Sequence, residues 1–483
     1  MKTVTKNTTY LMCAFVIQKI LTFLYFILIT RSIGNINLGK YIFALSFAAI
    51  FSIFIDLGLN QVLVKEVAKY KEKIIIYLSN IFVFKILVSS VCFLLMILVA
   101  NLLNYSLEIK ILIYCAGAVT ILDSLTATFY AIWRGLQNLK YEAIGIIIFQ
   151  VTVFIFGAIA ILLKLPLFVL ILSLILGGLL NFLFVFFTLS KNAFIVPKIA
   201  LFDKKIIFLL LKITIPFSLI LIFSRILNYS DVVLLKNLAD DKSVGLYSVA
   251  SKFVVALQFI PTTFLAALYP AFSNYFVSSK KLLVSIFEKA FTYLIFISLP
   301  ISVISIMLAD KIILGIFGLE FVNSIIPFKI LMVGLPFIFL NTTNVTFLTA
   351  CNKQVINTVI LGIGVVASII LNIIFIPLHS YIGVSYIATI TFIAMFFMTL
   401  FWVNKIFSES IESIWKCERL IKNIGKAFFA ATVIGLVTFY LKEIIFWPLL
   451  IVLSLFFYLL ILFLIKGITV DEIKMSWGKI IKK

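Results

Sequence analysis

The residues with the most chemistry in them are charges set in or at the ends of apolar runs. They are Lys19, Arg31, Asp56, Lys85, Asp123, Lys212, Arg225, Asp231 and Lys252. A charge held at mid-bilayer costs roughly 2.5–3.5 kcal/mol on insertion scales, so those retained there face a protein interior or a wet cavity. Bases in such a place bind anions: arginine offers a planar fork that matches phosphate, and lysine a point charge. Carboxylates there pair with the bases or take up protons or cations. A second signal is the stretch Gly34-Asn35-Ile36-Asn37-Leu38-Gly39-Lys40-Tyr41. It fits the phosphate-binding pattern G-x-x-x-x-G-K, but Tyr41 stands where that loop needs a magnesium-binding Ser or Thr.

The elements that carry these residues follow from composition. Of the 483 residues, 64% are hydrophobic and only 12% charged, and the mean hydropathy is +1.25. A water-soluble core cannot hide that excess, so the chain reads as an integral membrane protein. About fourteen runs approach the ~20 apolar residues that span a bilayer as a helix. They lie near 9–29, 41–59, 77–99, 109–131, 143–163, 167–189, 207–229, 244–269, 287–308, 325–348, 355–376, 381–403, 424–441 and 445–465. Lipid satisfies no backbone group, so every one must be helical. The run Leu11 to Ile29 lacks a small-residue cleavage site and reads as a span rather than a removable signal. The connections are short and leave no room for a soluble domain. The longest, 190–206, 404–423 and the tail after 466, are basic or mixed in charge.

Several function classes fall away. Cys13, Cys92, Cys115, Cys351 and Cys417 show neither metal-ligand nor C-x-x-C spacing and read as packing residues. His379, the only histidine, sits beside Pro377 and reads as a solvated loop residue. No metal and no cofactor is expected. The net charge of +21 would suggest nucleic acid in a soluble protein, but its placement gives another reading. With the N-terminus inside, about 26 of the 40 basic residues fall in cytoplasmic segments. That skew puts both termini in the cytoplasm and lays the charge against anionic membrane lipids.

The chain also repeats. The pattern G-x-Y-x-x-A-x-x-F occurs at Gly39, Tyr41, Ala44 and Phe47, and again at Gly245, Tyr247, Ala250 and Phe253. The offset of 206 positions, from 39 to 245, spans six helices, so the two halves share one topology, as parallel repeats do. GNINLGK then lies in an outer turn between spans one and two, after no strand. Its glycines serve a tight reversal and a close approach of helix two to its neighbour, not ATP.

Helical spacing sorts the charges. Lys19, Thr22, Phe26 and Thr30 share a face of span one; Ser52, Asp56 and Asn60 step by four on span two. Arg225, Asn228 and Asp231 step by three on span seven after the helix-breaking Pro216, and Tyr247, Ser251 and Gln258 share a face of span eight beside Lys252. Two facing lobes would enclose a cavity lined by these four helices, cationic through Lys19, Arg225 and Lys252, whose guest is an anion such as pyrophosphate. Plainer readings exist for the others. Lys85 and Lys212 read as snorkelling to an interface, and Arg31 as either an outer anchor or a ligand. Asp56 would pair with Lys65 or Lys69 and Asp123 with Arg134, or each would bind a coupling ion. Asp231 is either the partner of Arg225 or a proton or cation site.

Residues 29–70 resemble the polysaccharide (O-antigen) flippase family of the multidrug/oligosaccharidyl-lipid/polysaccharide exporter superfamily. The likeness rests on Arg31, Gly34, Gly39 and Tyr41, then Asp56, Gly58 and Leu59, then Lys65, Glu66 and Ala68. The segment Trp133 to Ala143, WRGLQNLKYEA, is similar to that family's loop before span five. The resemblance implies an all-α polytopic membrane protein with about 14 transmembrane helices: two six-helix lobes in a V around a central cavity, plus two C-terminal helices. On this sequence those would be residues 1–203, 204–404 and 405–483. It implies a non-enzymatic flippase of the bacterial inner membrane, working by alternating access on an undecaprenyl-pyrophosphate-linked oligosaccharide. Lys19, Arg31, Arg225 and Lys252 would hold the pyrophosphate. Asp56, Asp123 and Asp231 would couple to protons or sodium, and polysaccharide polymerase machinery would be a partner. A peptidoglycan-precursor flippase and a multidrug exporter share the fold. A membrane glycosyltransferase or polymerase would need a larger outer loop than any here.

Overall fold

The structure is a computed structural model that describes residues 2–410 and 418–467. Cys417 and the tail beyond 467, with their basic residues, lie outside the described residues. All the regular structure described is helical. The helices are α1 (Lys2–Asp56), α2 (Leu59–Lys69), α3 (Ile74–Leu102), α4 (Leu107–Gly135), α5 (Lys140–Leu162), α6 (Leu167–Ala193), α7 (Lys204–Leu238) and α8 (Asp241–Leu257). They continue as α9 (Phe259–Ser278), α10 (Lys280–Met307), α11 (Ala309–Phe317), α12 (Ile325–Ala350), α13 (Gln354–Ser410), α14 (Glu418–Leu441) and α15 (Trp447–Leu464). Twelve helical stretches among the described residues are long and apolar enough to cross a membrane. Two of them are kinked pairs, broken at Gly34 and at Ser380, so the fourteen spans expected from hydropathy are all present.

Both breaks are tighter than the loops read from sequence. Gly34 alone leaves the helical region, at φ 76° and ψ 175°, a conformation open mainly to glycine. The chain therefore turns on one residue and enters its second span at once. In α13 the break is Ser380 (φ 49°, ψ −134°), with Pro377 inside the helix. His379 thus belongs to a kinked helix rather than a loop, its ring 6.4 Å from that of Phe375. The backbone of α7 stays helical through Pro216, which the sequence reading took as a breaker.

The helices form two compact units, Met1–Ser248 and Val249–Lys483. In the first, α4 packs on α3 and α6, α1 packs on α4 and α5, and α7 joins through α1. Helix α3 shows how the faces are assigned. Leu78, Ile81, Lys85, Ser89, Cys92 and Met96 are buried, whereas Leu87, Val91, Leu94 and Leu98 are exposed. Both sets recur at three- and four-residue steps. Lipid tails are as apolar as leucine, so the inward face is chosen by packing and polar contacts rather than by hydrophobicity. In the second unit, Phe287 of α10, Phe347 of α12 and Phe407 of α13 form a triangle with ring centroids 5.0, 5.2 and 5.4 Å apart. The Asn344 amide donates to Thr399 Oγ1 at 3.0 Å. Helix α14 then packs on α10 and α15 on α14.

Candidate functional site

The polar centre of the first unit is built where α1 ends. Leu57 and Gly58 take positive φ, 42° and 82°, and the chain restarts as α2 at Leu59. Across this break Asp56 and Asn60 converge on one cation. Lys85 Nζ donates to Asp56 Oδ1 at 2.6 Å, to Asn60 Oδ1 at 3.0 Å and to the Ser124 carbonyl at 3.4 Å. The Thr128 hydroxyl lies 3.2 Å from Asn60 Oδ1 and 3.0 Å from the Ser124 carbonyl. All three ammonium protons thus have acceptors. Lys85 is fully enclosed, and the Asp56 side chain keeps 31% of its surface accessible.

Two expectations are corrected here. Lys85 does not snorkel: it sits on the inward face of α3, and Asp56 supplies the countercharge that makes burial tolerable. Asp56 pairs with Lys85, not with Lys65 or Lys69. The sequence did hold a signal for this, because Lys85 shares its stripe with Ser89 and Cys92 while the other stripe is uniformly aliphatic.

The open side of Asp56 faces a cavity of about 340 Å³ between α1, α4 and α7. Ser52, Asp56 and Asn60 line one wall, Thr120, Asp123 and Ser124 the second, and Arg225 and Tyr229 the third. Arg225 lies within electrostatic reach of Asp123, and its guanidinium carbon stands 6.0 Å from the Tyr229 ring centroid. Three residues singled out from sequence, Asp56, Asp123 and Arg225, thus share one chamber. Ser124, Thr128 and Tyr229 were not foreseen. Tyr229 could have been, being four residues after Arg225 on the same helix face.

The expected Asp123–Arg134 pair gives way to another. Arg134 makes a two-pronged contact with Glu142, through Nε at 2.8 Å and a second, shorter bond from Nη2, and Glu142 is almost fully buried. Trp133 and Tyr141 pack beside it with centroids 4.3 Å apart. The segment WRGLQNLKYEA is therefore a self-bracing turn between α4 and α5, not a wall of the cavity.

The remaining candidates lie elsewhere. Lys19 is exposed on the first half of α1, outside this lining. Its neighbours on that face turn inward: Thr22 donates to Gln150 Oε1 at 2.9 Å, and Thr30 caps the Phe26 carbonyl at 2.7 Å. Helical hydroxyls can satisfy themselves on the preceding turn, as Thr30 does, while Thr22 remains half-buried. Arg31 is exposed three residues before the kink, and Lys212 is exposed on α7. Asp231 is buried and accepts a hydrogen bond from Tyr247 at 3.1 Å. Lys252 is half-buried in the second unit. That unit holds a separate cavity of about 380 Å³ lined by Phe291, Phe337, Phe396, Phe397 and Phe428, whose chemistry suits hydrocarbon. Among the described residues no cluster of His, Cys, Asp or Glu could hold a metal.

The repeat read from sequence has a structural counterpart. A Cβ placed on Gly39 would fall 1.7 Å from the Asp241 carbonyl oxygen, and one on Gly245 would fall 2.0 Å from the Asn35 carbonyl oxygen. Asn35 and Asp241 are themselves 206 positions apart. Tyr41 and Tyr247, Ala44 and Ala250 are buried in both copies.

The sequence profile of a family described as polysaccharide biosynthesis protein matches residues 4–276. An uncharacterized membrane protein of Methanocaldococcus jannaschii is 25% identical over 427 residues, covering 83% of this chain and 84% of that one. Among solved structures, the lipid II flippase MurJ in an inward closed conformation aligns with a TM-score of 0.78 and 19% identity, over 93% of this chain and 97% of that one. An inward-facing multidrug resistance transporter of the MATE family, in the MOP superfamily, aligns with a TM-score of 0.68 and 13% identity, over 81% and 95%. At these identities the two structures share a fold with this chain and show nothing finer.

Proposed function

The chain belongs to the polysaccharide biosynthesis protein family, and from that we propose that it is a flippase for a lipid-linked oligosaccharide. The cargo is an undecaprenyl-pyrophosphate-linked repeat unit of a surface polysaccharide such as O-antigen. It moves from the cytoplasmic to the outer leaflet of the inner membrane, with both chain termini in the cytoplasm. Arg225 is the observation that carries this reading. It is a permanently charged side chain opening on a polar chamber within helices otherwise built for lipid. A guanidinium there neutralises a phosphate that hydrocarbon would reject. Lys19, Arg31 and Lys252 serve as further cationic contacts along the path.

The chain's residues supply transport rather than bond chemistry. The fold is shared with a lipid II flippase and a multidrug resistance transporter. Binding of the cargo shifts the balance between inward- and outward-open states only to the extent that the two states bind it differently. Asp56, Asp123 and Asp231 are the groups through which a proton or sodium ion resets the empty carrier.

Deleting the gene and identifying the lipid that accumulates on the cytoplasmic face tests the reading. A pyrophosphate-linked oligosaccharide is expected. A cell-wall precursor in its place would assign the chain to peptidoglycan. Accumulation of neither would defeat the flippase reading. Arg225→Ala should abolish surface polysaccharide while the protein stays in the membrane.

A further inference from the structure

We infer that the Asp56–Asp123–Ser124 side of the first unit's cavity is a sugar subsite, which receives a hydroxyl-rich ring of the cargo rather than its pyrophosphate. This rests on the flippase reading and specifies which part of the cargo the chamber takes.

Charge comes first. The walls present two carboxylates, Asp56 and Asp123, and one exposed guanidinium, Arg225. The other nearby cation, Lys85, is enclosed and spends its protons on Asp56, Asn60 and Ser124. A phosphate pressed against this wall would meet like charge, an unfavourable juxtaposition. Sugar hydroxyls have the opposite preference. Each donates to a carboxylate and accepts from a guanidinium or amide, and the wall offers both kinds of group side by side.

Size and an unfilled bond point the same way. About 340 Å³ falls in the ~300–1,000 Å³ range of pockets that hold small organic ligands, far more than an ion needs. Ser124 lines this cavity and is only 9% exposed, and its Oγ has no hydrogen-bond partner. A buried hydroxyl left unmade is unfavourable; the Oγ lies beneath the cavity surface, and a side-chain rotation that turned it to the chamber would let a ligand hydroxyl complete it. Neighbouring Ser52 and Thr120 bond to their own helices, at 2.7 and 2.8 Å, so the unmet demand is confined to one point. Arg225, which lines the same chamber, marks where the sugar meets the phosphate.

The test measures binding of two probes to the full chain in detergent. One is the lipid-linked oligosaccharide extracted from cells lacking the gene; the other is sugar-free undecaprenyl pyrophosphate. The readout is the ratio of the two affinities, which folding damage would leave unchanged. Asp123→Ala should lower the ratio about tenfold, the scale of one charge-assisted hydrogen bond, because it weakens the sugar contact while relieving repulsion of phosphate. Ser124→Ala, which leaves every charge in place, should lower it less. An unchanged or raised ratio in both variants overturns the subsite. A wild-type chain that binds neither lipid overturns the flippase reading instead.

Discussion

Gly39 and Gly245 stand in the same relation to each other's helices: each gives up its side chain to the backbone four residues before the other. Asp241 fills the space at Gly39, and Asn35 fills it at Gly245. A repeat visible in sequence as a short motif is thus a reciprocal contact, in which each copy's glycine is the notch for the other copy's helix start. Glycine is needed at both because backbone meets backbone with no room between them, as at small-residue crossings in membranes generally.

Alanine at either glycine should therefore force the two helix starts apart. Gly39→Ala and Gly245→Ala are each expected to destabilise by about 1–3 kcal/mol, the usual scale of overpacking. The double variant should cost less than the two summed, because both act on one junction. Thermal inactivation of the purified protein measures this; full additivity would mean the two contacts are independent.

The buried pair of Lys85 and Asp56 makes an asymmetric prediction. Lys85→Ala takes the countercharge from the Asp56 carboxylate; because that side chain keeps 31% of its surface accessible, the cost should stay below the ~3–5 kcal/mol of stranding a fully buried charge. Lys85→Met combined with Asp56→Asn removes both charges and keeps the volume, so it should recover much of that stability. If the double variant is as unstable as Lys85→Ala, the packing around Lys85 matters more than its charge.

Arg134 and Glu142 test the turn after α4. Arg134→Ala leaves a nearly fully buried Glu142 carboxylate without its two-pronged partner. Less folded protein should reach the membrane, while the affinity per folded molecule for either lipid probe stays unchanged. A selective loss of binding by well-folded Arg134→Ala would place this turn on the cargo path.

Cys351 predicts a pH dependence. Burial pushes its thiol up to about 12, against the weaker pull of Lys280 and Lys353. The thiolate is the reactive form, so at pH 7.5 Cys351 should resist maleimide in the folded protein and react after unfolding in dodecyl sulfate. Raising the pH to 9 should change little, since the thiol remains protonated well above that. Rapid labelling at pH 7.5 would show that this helix end opens.

Hydropathy and charge spacing alone determined that the described residues form fourteen helices long and apolar enough to span a membrane, with a repeated glycine motif. Length, apolarity and backbone satisfaction leave no other solution in a membrane, and the repeated glycine motif is local in sequence. Arg225, Asp56 and Asp123 were legible as candidates because a charge in an apolar run is costly wherever it ends up. Their companions were decided only by tertiary structure. A helix's own sequence says which residues share a stripe, but not which stripe meets which neighbour, since lipid and protein interior are equally apolar. Hence Lys85, whose apolar surroundings in sequence suggest snorkelling, is the buried partner of Asp56, and Thr22 and Thr30 of α1 find their partners in Gln150 and the Phe26 carbonyl. Only the folding of α1, α4 and α7 around one chamber set two carboxylates, a guanidinium and the unfilled hydroxyl of Ser124 on a common wall.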